Sequence, residues 1–378
     1  MKSKLFKILS VMLAIVFMTL CFVSCKGKEY DKTGDSTGSP STEPSTEAAV
    51  PTNLSLLTGL ELSESAIGKR PIAIMVENHP AARPQWGLST PDIVLEGLVE
   101  GGITRMMWIY SDVTKIPKIG PVRSARHDYV EIAYGMNAVF AHWGGSDPAY
   151  DLLKKLANQG YVDIDGKYIG TNGNESNKGY YFFKDPSHSS ATEHCGYTNG
   201  TYLAAAMEKK SIKTEQTKSN WAPYTVITNG ERVPFASSSA GTCKSITVTF
   251  SQDYKHTFKY DSSTGLYLNF MNTSPMLDGN NNKQMAVKNV IVMYTNVTEY
   301  QSSNTGLRIL REWDLSSGEA LYITNGYGER ITWKKGDASS PLKFYGQDGK
   351  ELTVNKGQTW IGVVPTANKE LTKIVTEG

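Results

Sequence analysis

Gly120 to Asp128, GPVRSARHD, places two arginines, a serine, a histidine and an aspartate in nine residues, after a Gly-Pro pair and before the apolar run YVEIAYG. Guanidinium forks bind carboxylate or phosphate groups bidentately, and free backbone N–H groups at a helix start attract the same anions. If Pro121 takes the first helical position, Val122, Ala125, Tyr129, Ile132 and Ala133 form one buried stripe. Arg123, His127 and Glu131 then line another face, with Arg126 beside Arg123. The alternative is a solvated surface on which Asp128 and Glu131 pair with the arginines for little gain.

Two other segments carry comparable residues. Glu77-Asn78-His79-Pro80 continues to Arg83-Pro84-Gln85, and Gly144-Gly145-Ser146-Asp147 follows His142. The paired glycines let a backbone approach a ligand closely. Ser146 lacks the second glycine of a G-x-S-x-G nucleophile elbow, so its expected role at that position is to cap a helix. Glu77, Glu96 and Glu100 are candidate acid–base groups, the last two at i,i+4 spacing on one expected helix. His79, His127, His142, His188, His194 and His256 show no metal-ligand spacing, and no phosphate-cradling glycine motif appears. Neither a metal site nor a cofactor is expected, and a nucleotide-dependent enzyme is disfavoured.

Positioning these groups falls to an alternation of element types. PIAIMVE (Pro71 to Glu77), ITRMMWIY (Ile103 to Tyr110) and NAVFAHW (Asn137 to Trp143) read as buried strands. Thr90-Pro91-Asp92 supplies helix-start signals ahead of IVLEGLVE, and Ser146-Asp147-Pro148 opens the helix AYDLLKKLANQ. The order predicts an α/β layered N-terminal domain with a largely parallel sheet over residues 54–215. Ligands of such sheets bind outside the carboxyl ends of the strands, where all three charged or glycine-rich segments fall. Beyond Asn220 the runs TVTF, TFKY, LYLNF, NVIVMYT, ALYITNGYGERITW and LKFYGQDGKELTV predict a smaller β-rich C-terminal domain over residues 221–376. The boundary is expected within Lys213 to Asn220.

The N-terminus has a different character. MKSKLFKILSVMLAIVFMTLCFVS sets three lysines before an apolar stretch, Ile8 to Val23, that is shorter than the roughly 20 residues of a spanning helix. Its ending, Phe22-Val23-Ser24-Cys25, is similar to the cleavage site of bacterial lipoproteins. In that case residues 1–24 are a signal peptide and Cys25 carries the lipid, whose palmitate-class acyl chains anchor the protein at about 0.8 kcal/mol per buried methylene. An uncleaved anchor helix is the alternative. Residues 25–53, rich in Ser, Thr, Pro and Glu, cannot bury enough surface to fold and read as a tether. Removing the three leader lysines takes the net charge from +2 to −1, which leaves no basic bias toward nucleic acid. Cys195 and Cys243 are either free and buried or, in an exported compartment, disulfide-bonded.

The stretches from LTGLELSESAIGKRP to MMWIYSD, then IGPVRSARHDYVE and AVFAHWGGSDPA, resemble the N-terminal domain of the YerB-like bacterial lipoproteins, a two-domain family of unknown function. NVIVMYT and KFYGQDGKELTVNKGQTWIGVVP resemble its C-terminal domain. Carried over by position, the resemblance implies functional importance for Asn78, His79, Arg83, Gln85, Glu96, Glu100, Arg105, Arg123, Ser124, Arg126, Gly144, Gly145 and Ser146. In a later segment it keeps His194, whose neighbours in Glu193-His194-Cys195-Gly196-Tyr197-Thr198 depart from the family pattern. The resemblance implies a tethered envelope protein and supplies no reaction.

The expected function is a lipid-anchored extracytoplasmic protein that binds an anionic cell-envelope ligand, such as the phosphate or carboxylate groups of a wall glycan. Its partners are then the membrane, through Cys25, and a wall polymer or envelope protein. Two alternatives stay open: a hydrolase or transferase with Glu and His as acid and base, and a protein-interaction scaffold presenting Trp313, Trp333 and Trp360.

Overall fold

Three of the apolar runs form strands because both of their faces are covered. In the structure, a computed structural model that describes residues 53–169, 179–189, 191–232, 241–301 and 309–376, Ile72–Glu77 is β1, Ile93–Leu98 is β2 and Thr104–Tyr110 is β3. Every residue of the three is buried. Val139–His142 forms β4 and Ile164–Asp165 forms β5. Among the described residues the α-helices are His127–Gly135 (α1), Asp147–Ala157 (α2) and Gly200–Lys209 (α3).

β2 corrects the expected helix after Thr90-Pro91-Asp92. A helix needs a polar face here, and β2 has none, since the large sheet is covered on both sides. Asp92 instead joins the sheet: its N–H donates to Ile109 O, and its carboxylate accepts from Ser111 N at 2.7 Å. Gly97 suits a strand because the indole of Trp313 lies where a side chain would be, with a Cβ only 2.3 Å from Trp313 Cζ2.

The sheet is consequently mixed. β4 runs parallel to β1 and β5, whereas β3 is antiparallel to both β1 and β2, as the short Val99 to Ile103 connection requires. It also does not stop at the N-terminal half. The order is Lys343–Tyr345, Tyr327–Lys334, Ser317–Thr324, Asn289–Thr295, Thr359–Pro365, β2, β3, β1, β4, β5. Thr359–Pro365 lies parallel to both β2 and Asn289–Thr295 and stitches the two halves into one sheet.

A second sheet, built around Ser245–Thr249, Lys255–Asp261 and Leu266–Met271, packs with α3 on one face of the large sheet. α1 and α2 pack on the other. The strand-rich character of the C-terminal half is as the sequence predicts. Trp313, Trp333 and Trp360 are 3%, 1% and 0% exposed, so the aromatic patch of the scaffold alternative does not exist. Cys195 and Cys243 are free and buried, and burial pushes the Cys243 thiol up to about 12. The leader, Cys25 and all of the tether except Asn53 lie outside the described residues. No described helix is long and apolar enough to cross a membrane.

Candidate functional site

β1 and β4 pair only over Ile72 to Ile74 and Val139 to Ala141. Past that point the segment Gly120 to Ala125 enters between them. Glu77 N donates to Pro121 O and Arg123 N to Met75 O (both 2.9 Å), while on the other side Trp143 N donates to Arg123 O (3.0 Å) and Ala125 N to Gly144 O (2.9 Å). GPVRSAR is therefore extended, not the start of a helix at Pro121. Its backbone groups are committed to neighbouring strands, the Gly120-Pro121 peptide is cis, and Gly120 has φ +151° with a would-be Cβ 2.5 Å from Gly196 O. α1 begins only at His127, with Arg126 as its N-cap residue. Val122, Ala125, Tyr129, Ile132 and Ala133 are nonetheless all buried, as expected.

This insertion places the arginines against carboxylates from other strand ends. Arg123 Nε meets Glu77 Oε1 at 3.0 Å, and Glu77 Oε2 accepts from His194 Nδ1 at 2.8 Å. The His194 ring stacks on His79 with centroids 4.7 Å apart and planes 6° from parallel. Desolvation, then the neighbouring His194, lowers the pKa of His79. Arg126 grips both oxygens of Glu100 at 2.6 and 2.7 Å. Burial pushes the Glu100 carboxyl up, but the Arg126 hydrogen bonds and charge, with Arg105 behind them, hold it below its ordinary value. The pairing partners are thus Glu77 and Glu100, not the Glu131 and Asp128 of the solvated-surface alternative.

Arg105, opposite Glu77 and Gly97 in the strand register, lies at the centre of this charge group. It is 3% exposed, and its Nη1 donates to the Ser124 carbonyl at 2.9 Å, while its buried Nε has no partner. Burial, followed by the nearby Arg126 and Arg123, brings its pKa down to about 9, against the pull of Glu100 and Glu77. The charges acting on it are thus two like-signed guanidiniums and two carboxylates, so its own charge is buried among groups of both signs.

Asn78, Arg83, Gln85 and Glu96 form a second, inward-facing network. Glu96, fully buried, accepts from Asn78 Nδ2 (2.9 Å), Thr104 Oγ1 (2.6 Å), His256 Nε2 (3.0 Å) and Trp360 Nε1 (3.2 Å). Asn78 Oδ1 in turn accepts from Arg83 Nε and Gln85 Nε2. These groups hold the loop after β1 and join the N-terminal half to His256 and Trp360. Both Glu96 and Glu100 have their oxygens occupied.

Gly144 and Gly145 flank the inserted segment through their backbone, and Ser124 Oγ donates to Trp143 O at 3.2 Å. Ser146 accepts from Ala149 N as the N-cap of α2, the role expected of it. His142 is tied to Gly144 O and Asp163. Beside Arg123 opens a cavity of about 200 Å³ lined by Val122, Arg123, Trp143, Lys184, Thr192, Glu193 and Gly196. Trp143, Lys184, Thr192 and Glu193 were not singled out from the sequence. Only the nearness of Trp143 to Gly144, and of Thr192 and Glu193 to His194, could have flagged them. A larger groove of about 500 Å³ in the C-terminal half, including Glu319, Arg330, Lys369 and Glu370, contains none of the expected site residues. Among the described residues no group of three or more His, Cys, Asp or Glu side chains could hold a metal ion.

Comparison with known proteins follows the same two halves. Residues 57–213 match the model of the N-terminal domain of a protein of unknown function, DUF3048, and residues 246–361 match its C-terminal domain. The Bacillus subtilis protein named "Putative lipoprotein YerB" is 31% identical over 322 residues, spanning 82% of this chain and 85% of the relative. The crystal structure of YerB from Bacillus subtilis superposes with a TM-score of 0.67 at 28% identity, covering 85% of this chain and 99% of that one. The chain therefore belongs to the YerB-like DUF3048 family.

Proposed function

We propose that this protein is held on the extracytoplasmic face of the cell membrane by a lipid on Cys25. Its Arg105–Arg123 site binds an anionic group, a phosphate or carboxylate, of a cell-envelope polymer such as a wall glycan. The observation that carries the reading is Arg105: a buried guanidinium with an unpartnered Nε, with the guanidiniums of Arg126 and Arg123 beside it. Buried charge that is incompletely compensated is costly and favours an incoming anion. The name of the Bacillus subtilis relative supports the lipid anchor.

The test is calorimetric titration of the full chain in detergent with purified phosphate-bearing wall polymer. Arg123→Gln removes one charge-assisted contact and is expected to weaken binding by about tenfold to a hundredfold. Added salt should weaken it further. No binding by the parent protein, or unchanged affinity in Arg123→Gln, overturns the reading.

One observation favours a second reading, a hydrolase acting on the same material. Glu77 holds His194 Nδ1 at 2.8 Å, the orientation in which the other ring nitrogen serves as a base. Release of product from wall polymer, lost in His194→Gln, supports it; binding without turnover leaves the binding reading alone.

A further inference from the structure

We infer that the site takes an acidic sugar unit, with Trp143 as the platform for the sugar ring and Arg123 and Lys184 as the readers of its charge. This rests on the anion-binding reading and narrows it to one class of ligand. The cavity beside Arg123 combines an aromatic ring, two cations, a hydroxyl and a carboxylate: Trp143, Arg123, Lys184, Thr192 and Glu193. The indole is partly exposed. Its backbone is bonded on both sides to the inserted segment, at Arg123 O and Ser124 Oγ. Its ring packs edge-on to Phe182 at 5.8 Å and rests over Gly196, where a Cβ would come 2.8 Å from Trp143 Cε3. Gly196 thus seats the indole, and Lys184 Nζ stands 5.6 Å from the ring centroid.

Each wall matches a feature of an acidic pyranose. The C–H face of a sugar ring is apolar and packs on an indole, whose amphipathic body tolerates a wet rim. A carboxylate or phosphate on the ring reaches Arg123 and Lys184. Ring hydroxyls find Thr192 as donor or acceptor and Glu193 as acceptor. A ringless anion would make no use of Trp143, and a neutral sugar would leave both cations unmatched. Two hundred cubic ångströms is far below the 300–1,000 Å³ typical of drug-sized ligands, which suits a single sugar unit of a longer polymer.

The test measures calorimetric affinities of the full chain in detergent for N-acetylmuramic acid, N-acetylglucosamine 6-phosphate, N-acetylglucosamine and inorganic phosphate. The expected result is that at least one acidic sugar binds tenfold or more tightly than both inorganic phosphate and N-acetylglucosamine. Trp143→Ala then removes about tenfold of that advantage with inorganic phosphate unchanged, and Trp143→Phe, which keeps a ring, retains most of it. Where Trp143→Ala lowers the melting temperature, Lys184→Gln replaces it and must weaken the acidic sugar while sparing the neutral one. Inorganic phosphate binding as tightly as the acidic sugars, or Trp143→Ala leaving their affinity unchanged, overturns the inference while the anion-binding reading stands. Absence of binding to every anion, phosphate included, sinks the anion-binding reading itself.

Discussion

Replacing Glu96 by glutamine tests whether the buried network is as organised as its geometry implies. Four donors converge on the carboxylate, three on Oε1 from Asn78, Thr104 and His256, and one on Oε2 from Trp360. A glutamine best keeps its carbonyl oxygen at the Oε1 position, which sets its NH₂ against Trp360 Nε1, donor against donor. An orphaned buried donor costs about 1–3 kcal/mol, and the three remaining bonds lose their charge assistance, so a total of about 2–4 kcal/mol is expected. At about 2–4 °C per kcal/mol, that is a fall in melting temperature of roughly 4–16 °C. Thermal denaturation followed by circular dichroism in the near and far ultraviolet measures it, and both signals should move together because one sheet spans both halves. The pH dependence supplies a second arm. Burial pushes the Glu96 carboxyl up, but His256 by charge and hydrogen bond, with Thr104 and Trp360, outweighs it and holds the pKa below 4.5. A carboxyl depressed on folding contributes stability that is fully present above about pH 4.5 and is lost as pH falls through the folded value. The parent should therefore lose stability in that window and Glu96→Gln should lose less. A variant melting within about 1 °C of the parent at pH 7, with the same acid profile, refutes the account.

Asp128 behaves with the opposite sign. Burial raises its pKa to about 8, so its contribution is present at low pH and is lost as pH rises from about 4 through 8. Asp128→Asn should melt above the parent at pH 9, with the gap closing toward pH 4; superimposable pH–stability profiles would contradict this. Gly97→Ala drives a methyl group into Trp313 and is expected to cost about 1–3 kcal/mol by denaturant titration, with wild-type stability counting against the packing described. Ser146→Ala removes the cap of α2 for about 1 kcal/mol and should leave affinity for wall polymer unchanged. Lost binding at normal stability would return Ser146 to the site.

PIAIMVE and NAVFAHW are legible as strands because a short run without polar alternation must be covered on both faces, and each is. Ser146-Asp147-Pro148 is legible as a helix start because cap, acid and proline act within one turn. The same kind of signal at Thr90-Pro91-Asp92 misleads. Its strength is about 1 kcal/mol, whereas IVLEGL buries all six residues between Thr359–Pro365 and β3, and burial of each large side chain outweighs a cap. Pro121 misleads likewise, since strand hydrogen bonds on both sides of Arg123 hold the segment extended.

By itself, the sequence determined which residue types the site has at its disposal, the positions of most of the longer strands and the change to strand-rich character after Asn220. These depend on local composition and short-range periodicity, which survive without knowledge of neighbours. Only the tertiary structure decided that Arg123 faces Glu77 from 46 residues away, that Arg126 faces Glu100 from 26, that Glu96 is consumed by His256 and Trp360, and that Trp143 meets Lys184 across a cavity. Charge compensation and burial are properties of what lies within a few ångströms, and strand order and the wedge between β1 and β4 set those distances.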